Sequence, residues 1–227
     1  MSENNIIGVV LEGGKSRRFE EDKSSIKLGD KTLLDHTLSK LEKNFLEILI
    51  VTNNRSLGRY KKNIFVIQDC IKGHLGPLVG VLSAMKWVKK ENKKYSWIAT
   101  FPCDTPFFDI KIIDELKKAS KHKIKKLFFF KSGEKRHNIF GLWSIELLNI
   151  LEEDIINNYR KVELWADKIG FETININTGK FDSFLNINTK EDFLLSKKFI
   201  ATSSKFLILS VDLLIDFLDS KLTEAWQ

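Results

Sequence analysis

Cysteine is nearly absent from the sequence: Cys70 and Cys103 are the only two. Two thiols cannot build a disulfide framework, and neither has the close Cys or His spacing of a zinc site. Both are expected to be reduced. The four histidines, at 36, 74, 122 and 137, are scattered and suggest no nucleophilic triad. Nowhere do about eighteen uncharged apolar residues run together, and the opening MSENNIIGVV lacks a basic leader before a long apolar stretch. A soluble cytoplasmic protein without a membrane partner is the expectation. Arginine is also scarce, occurring only at 17, 18, 55, 59, 136 and 160 among 37 basic residues, although the formal net charge is +7. The densest basic run, KKASKHKIKK at 117–126, has neither arginine forks nor interleaved aromatics. It reads as a solvated helix face and loop, so no nucleic-acid partner is expected, and the positive field suits polyanionic small molecules. No internal repeat or low-complexity linker is present. What remains is a chain of 227 residues, 43% hydrophobic, sufficient for one large domain or a domain with an appendage.

Short apolar runs alternate with helical patterns. IIGVVL at 6–11 reads as a buried strand ending at Gly13 and Gly14. TLLDHTLSKLEKNF follows, with Leu34, Thr37, Leu38 and Leu41 on one helical face. The next strands are LEILIVT at 46–52, IFVIQD at 64–69 and SWIATF at 96–101, the last stopped by Pro102 and Pro106. Between the last two, GHLGPLVG turns into a helix through VLSAMKWVKK. The alternation predicts a Rossmann-like, three-layer α/β/α fold with a mainly parallel sheet. The later half is less regular: LFFF at 127–130, NIFGLWS at 138–144 and FETININ at 171–177 read as strands and SIELLNILEEDI as a helix. Thr189 suits a helix cap ahead of acidic residues in TKEDF. The predicted division is a domain over 1–195 and a helical tail over 196–227, where Phe206, Leu207, Leu209, Leu213, Leu214, Phe217 and Leu218 suggest an amphipathic helix. That tail is expected to dock on the body or on a second subunit, with the chain a monomer or weak homo-oligomer.

The stretch VVLEGGKSRRFEEDK, Val9 to Lys23, places paired glycines after a strand and before cations. It is not a Walker loop: Gly14-Lys15-Ser16 is present, but position 9 is valine and Gly8 falls one residue too early. No third glycine completes a dinucleotide pattern. Backbone N–H groups of Leu11, Glu12, Gly13 and Gly14 can nonetheless curl around anionic oxygens, with Lys15, Arg18 and Lys23 close in sequence, which suggests a polyphosphate. In a parallel sheet the carboxyl ends of the strands share one side, so Gly13, Thr52 or Asn53, Asp69 and Asp104 should surround one crevice. Phosphates at the first loop and a carboxylate at the fourth strand point to a divalent metal, magnesium, between them. Each residue also has an ordinary use: Asp104 and Asp69 can form turns, Lys23 can be a surface lysine, and paired glycines can simply turn the chain.

These residues resemble the molybdenum cofactor guanylyltransferases, within the nucleotidyltransferase group that shares the LAGGxSxRMGxDK signature. Here it reads LEGGKSRRFEEDK, and VTNNR at 51–55, IQD at 67–69, GPLVGVLSAM at 76–85, FPCDTPFF at 101–108 and FLNINTKEDF at 184–193 follow in order. The likeness covers roughly residues 6–195. It implies the nucleotide-diphospho-sugar transferase type of the fold, with GTP phosphates on the Leu11 to Gly14 turn and against Lys23. Guanine and ribose would lie near Thr52, Asn53, Asp69 and the Gly76-Pro77 turn. Asp104 would hold Mg2+, with Asn188 as a secondary metal candidate that also suits a cap. Lys23 and Arg18 would neutralise charge as the terminal phosphate of molybdopterin attacks the α-phosphorus of GTP and pyrophosphate departs. Molybdopterin cofactor and molybdoenzyme maturation proteins are the implied partners. Another acceptor on the same fold (cytidylyl, sugar-phosphate or cobinamide-phosphate chemistry), or a nucleotide-binding adaptor without turnover, are the competing readings. Three positions depart from the signature: Glu12 for alanine, Phe19 for methionine and Glu20 for glycine. Glu12 either points away from the crevice to a neighbouring cation, or faces it and meets guanine or repels the triphosphate.

Overall fold

A computed structural model describes residues 5–12, 26–53, 58–73, 75–91, 93–122, 124–177 and 182–199. Its centre is β1 (Ile6–Glu12), whose first five residues are all buried, as a strand covered on both faces requires. A two-residue hairpin, β2 (Lys27–Leu28) and β3 (Lys31–Thr32), leads into α1 (Leu33–Leu41). Thr32 and Asp35 form a reciprocal capping box at its start, with Asp35 N–H donating to Thr32 Oγ1 at 3.1 Å. The helix ends at Leu41 rather than Phe45: Glu42 caps it, and beyond it the Asn44 N–H reaches back three residues to the Leu41 carbonyl at 2.9 Å, a tighter turn than the α-helix makes. The chain then forms β4 (Ile48–Thr52), the edge strand β5 (Gly58–Lys61), β6 (Ile64–Ile67), α2 (Pro77–Lys90), β7 (Trp97–Pro102) and α3 (Lys111–Ala119). β4 starts two residues later than the apolar pattern suggests, Leu46 being 58% exposed.

The remaining elements are β8 (Leu127–Ser132), β9 (Lys135–Ser144), a single 3-10 turn at Ile145–Leu147, α4 (Leu148–Ile156), α5 (Val162–Ile169), β10 (Glu172–Asn175) and a helix over 190–199. The last begins as its sequence predicts, Asp192 N–H donating to Thr189 Oγ1 at 3.1 Å and Thr189 N–H to Asp192 Oδ2 at 2.8 Å. It continues without a break through position 195, and Ser196 is fully buried. The rest of the tail, including Phe206 to Leu218, lies outside the described residues.

The eight-stranded sheet has the order β10-β8-β9-β7-β1-β4-β6-β5. β1 pairs in parallel with β4 and β7, β4 with β6, and β10 with β8; β9 runs antiparallel to β7 and β8, and β5 antiparallel to β6. Alternation along the strands divides the core. Ile6 and Val10 pack with Leu34, Leu38 and Leu41 of α1 and Ile112, Ile113 and Leu116 of α3. Ile7 and Val9 pack with α2, α4 and α5 on the other side, around Leu82, Leu151 and Trp165. The result is the expected three-layer α/β/α fold with a mainly parallel sheet. Among the described residues no helix is long and apolar enough to cross a membrane. Part of the lysine-rich stretch is matched by acid: Lys117 faces Asp114, Lys118 faces Glu115 and Lys126 faces Glu146.

Candidate active site

β1, β4, β6 and β7 end together on one side of the sheet. In register, Glu12 lies opposite Thr52, and Leu11 opposite both Val51 and Pro102. Beyond those ends lies a cleft of about 680 Å³. Leu11, Glu12, Asn53, Asp69 and Asp104, all named from the sequence, line it. Thr52 is 2% exposed and is not among the lining residues, so of the adjacent pair it is Asn53 that meets the cleft. Gly13, Gly14, Arg18 and Lys23 lie outside the described residues.

At one end of the cleft Asn53 and Asp69 hold each other. Asn53 Nδ2 donates to Asp69 Oδ2 at 2.8 Å, and Asp69 N–H donates to Asn53 Oδ1 at 3.3 Å. The pair bridges the ends of β4 and β6 and fixes the amide orientation. Next to it Cys70 N–H donates to Ser83 Oγ at 2.8 Å, tying this turn to α2. Two glycines let α2 come close. Gly76 has φ +93°, a conformation that L side chains rarely adopt, and a Cβ on Gly80 would stand 2.9 Å from Leu11 Cδ2. Glu12 is 3% exposed and shares the strand face of Ile6 and Val10, so its side chain is enclosed at the floor of the cleft rather than spread on the surface.

Asp104 occupies the middle. Its carbonyl accepts from Ile187 N–H at 2.9 Å, which brings the NINT stretch alongside. Asn186, not read from the sequence as a site residue, lines the cleft beside Asp104. With its amide nitrogen toward the carboxylate, Asn186 donates to Asp104 Oδ1 at 2.5 Å, Oδ2 at 3.0 Å and Thr105 Oγ1 at 3.0 Å. The amide nitrogen thus orients the carboxylate, which is left as the hard oxygen donor at this point of the cleft. Magnesium fits such a carboxylate, because it is usually held by one or two of them completed by water and substrate phosphates. No group of three or more His, Cys, Asp or Glu side chains able to hold a metal occurs among the described residues. Asn188 does not line the cleft; its backbone N–H donates to Asp192 Oδ2 at 3.0 Å, at the start of the final helix.

The far end is a wall of side chains from β9, Lys135 to Phe140, backed by Phe184. His137 stacks on Phe184 with centroids 3.9 Å apart and shares a 2.7 Å hydrogen bond with Ser132 Oγ. Burial, reinforced by Lys135 and opposed by Asp182, lowers its pKa to about 4, so the ring is neutral at physiological pH. Arg136 is held by Asp167 at 3.0 Å and by Asn138 Oδ1 at 2.6 Å, and its guanidinium lies 4.3 Å from the Phe171 ring centroid. Lys135 is exposed at the rim. Sequence reasoning missed this wall because it rests on strand direction. β9 is antiparallel, pairing Thr100 with Gly141, so its earlier residues overhang the edge where the parallel strands stop.

Parallel strands that stop at a polar cleft lined by Asn53, Asp69 and Asp104 fit a nucleotidyltransferase of the three-layer α/β/α type. The chain belongs to the MobA-like NTP transferase domain family, which matches residues 8–165. It is 32% identical over 190 residues to the molybdenum cofactor guanylyltransferase of Yersinia pestis (strain Pestoides F), covering 83% of this chain and 93% of that one. The fold is similar to the crystal structure of molybdopterin-guanine dinucleotide biosynthesis protein A from Archaeoglobus fulgidus, with a TM-score of 0.70 and 20% identity over 86% of this chain and 99% of that one. A Mycobacterium tuberculosis protein solved in complex with manganese shares the fold at a TM-score of 0.61 and 12% identity, over 86% and 98% of the two chains.

Proposed function

We propose that this protein transfers GMP from GTP to the terminal phosphate of the molybdenum-molybdopterin cofactor, forming the guanine dinucleotide cofactor and pyrophosphate. The observation that carries this reading is the position of Asp104 and Asn186 between two unlike ends of one cleft. In the reaction an oxygen of the acceptor phosphate bonds to the α-phosphorus of GTP while the bond from that phosphorus to the β-phosphate bridging oxygen breaks. Pyrophosphate carries away the electron pair. No side-chain base is needed, since the acceptor phosphate is already ionised at neutral pH.

The Asn53 and Asp69 end, with Leu11, Glu12 and the Gly76-Pro77 turn, receives the nucleoside, and the Gly13-Gly14 turn with Lys23 receives the phosphates. Asp104, oriented by Asn186, would hold Mg2+, which when bound screens the charges of the two anionic reactants. Lys23 and Arg18 neutralise charge on the α-phosphoryl group and the leaving pyrophosphate. The β9 wall receives the acceptor, Lys135 supplying a cation and the neutral, stacked His137 a flat apolar surface for a heterocycle. The test is a nucleotide panel with molybdopterin as acceptor and Mg2+ present. GTP alone should yield pyrophosphate and the dinucleotide; preference for CTP, or GTP binding without pyrophosphate release, would overturn the proposal.

A further inference from the structure

We infer that Lys40, on α1 and outside the cleft, is a positioning residue that holds the Asp104 loop in place. Between the end of β7 and the start of α3 the chain passes through residues 103–110 without strand or helix. Backbone groups in such a segment have no ladder to satisfy them and must find partners elsewhere. Lys40 Nζ donates to the carbonyl of Pro106 at 2.7 Å and of Phe108 at 2.6 Å, and lies 4.6 Å from the Phe108 ring centroid. Three interactions from one ammonium thus fasten two residues of the loop that carries Asp104.

The anchor itself is rigid. Leu34, Leu38 and Leu41 of α1 are each at most 1% exposed, and Phe108 is fully buried. On its other side the loop is tied to the NINT stretch through the Asp104 carbonyl and Thr105. The carboxylate is therefore set between a clamp at 106–108 and a clamp at 186–187. A cation placed there is costly, since desolvation lowers its pKa to about 8 even with Asp109 nearby. An apolar side chain at this position of α1 would avoid that cost and leave both carbonyls without the donor. Lys40 bears this desolvation and satisfies both loop carbonyls.

The inference rests on Asp104 being the metal-holding residue, and the experiment separates the two. In the full-length protein, bound Mn2+ is followed by electron paramagnetic resonance in the presence of an α,β-methylene analogue of GTP, together with amide exchange of residues 103–109. Lys40→Met should weaken ion binding about tenfold or more and accelerate exchange in the loop, while Lys40→Arg, which keeps the donors, restores most of the loss. Lys93→Met is the control for lost stability. Its ammonium bonds Glu47 at 2.8 Å and it does not line the cleft, so it should lower the melting temperature and leave the ion in place. If Lys40→Met binds the ion like the parent while Asp104→Asn does not, the Lys40 inference fails alone. If Lys93→Met loses the ion as Lys40→Met does at equal loss of stability, the effect is general and the inference also fails. If Asp104→Asn keeps the ion, the metal reading fails and takes the Lys40 inference with it.

Discussion

The two ends of the cleft are built on opposite principles. At the Asn53 and Asp69 end, parallel strands stop in register and present backbone groups, short polar side chains and close-approaching glycines. At the β9 end an antiparallel strand runs past the edge and presents a row of side chains, Lys135 to Phe140. The first end is constrained by geometry: Gly76 at φ +93° and Gly80 beside Leu11 leave little room for change. The second is constrained by chemistry, because residues on a wall can be exchanged without moving the strand. On the proposed function, one fold can thus keep its nucleotide end and vary its acceptor end, with Asp104 at the boundary serving both.

If Asp104 serves both ends, its loss should be the most damaging. Asp104→Asn is expected to reduce transfer about a thousandfold or more with the fold intact, measured as pyrophosphate release at saturating substrates. Near-parent activity would remove the boundary from the account. Next comes Lys23, proposed to meet the phosphates: Lys23→Ala should cost on the order of a hundredfold in turnover of GTP. Third, Asn186→Ala should raise the Mg2+ concentration needed for half-maximal activity about tenfold, and Asn188→Ala should leave it nearly unchanged. Equal effects would mean that the NINT stretch acts as a turn and not through one amide.

The smallest effect concerns the β9 wall and stability. His137 is 8% exposed with its pKa lowered from 6.5 to about 4. The unfolded chain takes up this proton near 6.5 and the folded chain only near 4, so stability falls as pH drops through that window. About 1–2 kcal/mol should be lost between pH 7 and pH 5, a shift of a few degrees in melting temperature. His137→Gln, which retains a partner for Ser132, should flatten that slope; an unchanged slope would assign the acid sensitivity to another group.

Much of the Asn53 and Asp69 end of the cleft was legible in the sequence because it depends on local order. Apolar runs give parallel strands, parallel strands share an edge, and residues just past each run, Asn53, Asp69 and Asp104, must meet there. Even the enclosure of Glu12 follows from parity along β1 once the strand end is known, for it shares a face with Ile6 and Val10. The β9 end was not legible, because nothing in LFFF or NIFGLWS states that the second of these strands runs against β7. Only that direction brings Lys135 and His137 to the edge. Likewise the choice between Asn186 and Asn188 depends on which amide of a short motif turns toward Asp104. The Lys40 contacts join residues 66 and 68 positions apart, a separation at which composition and periodicity carry no information.

The division of the cleft is tested most directly by steady-state kinetics on Asn53→Ala and Lys135→Ala, with GTP and molybdopterin varied in turn. Asn53→Ala should raise KM for GTP about tenfold and leave that for the acceptor unchanged, and Lys135→Ala should do the reverse. If both substitutions move the same Michaelis constant, the two ends do not hold different substrates and the account is wrong.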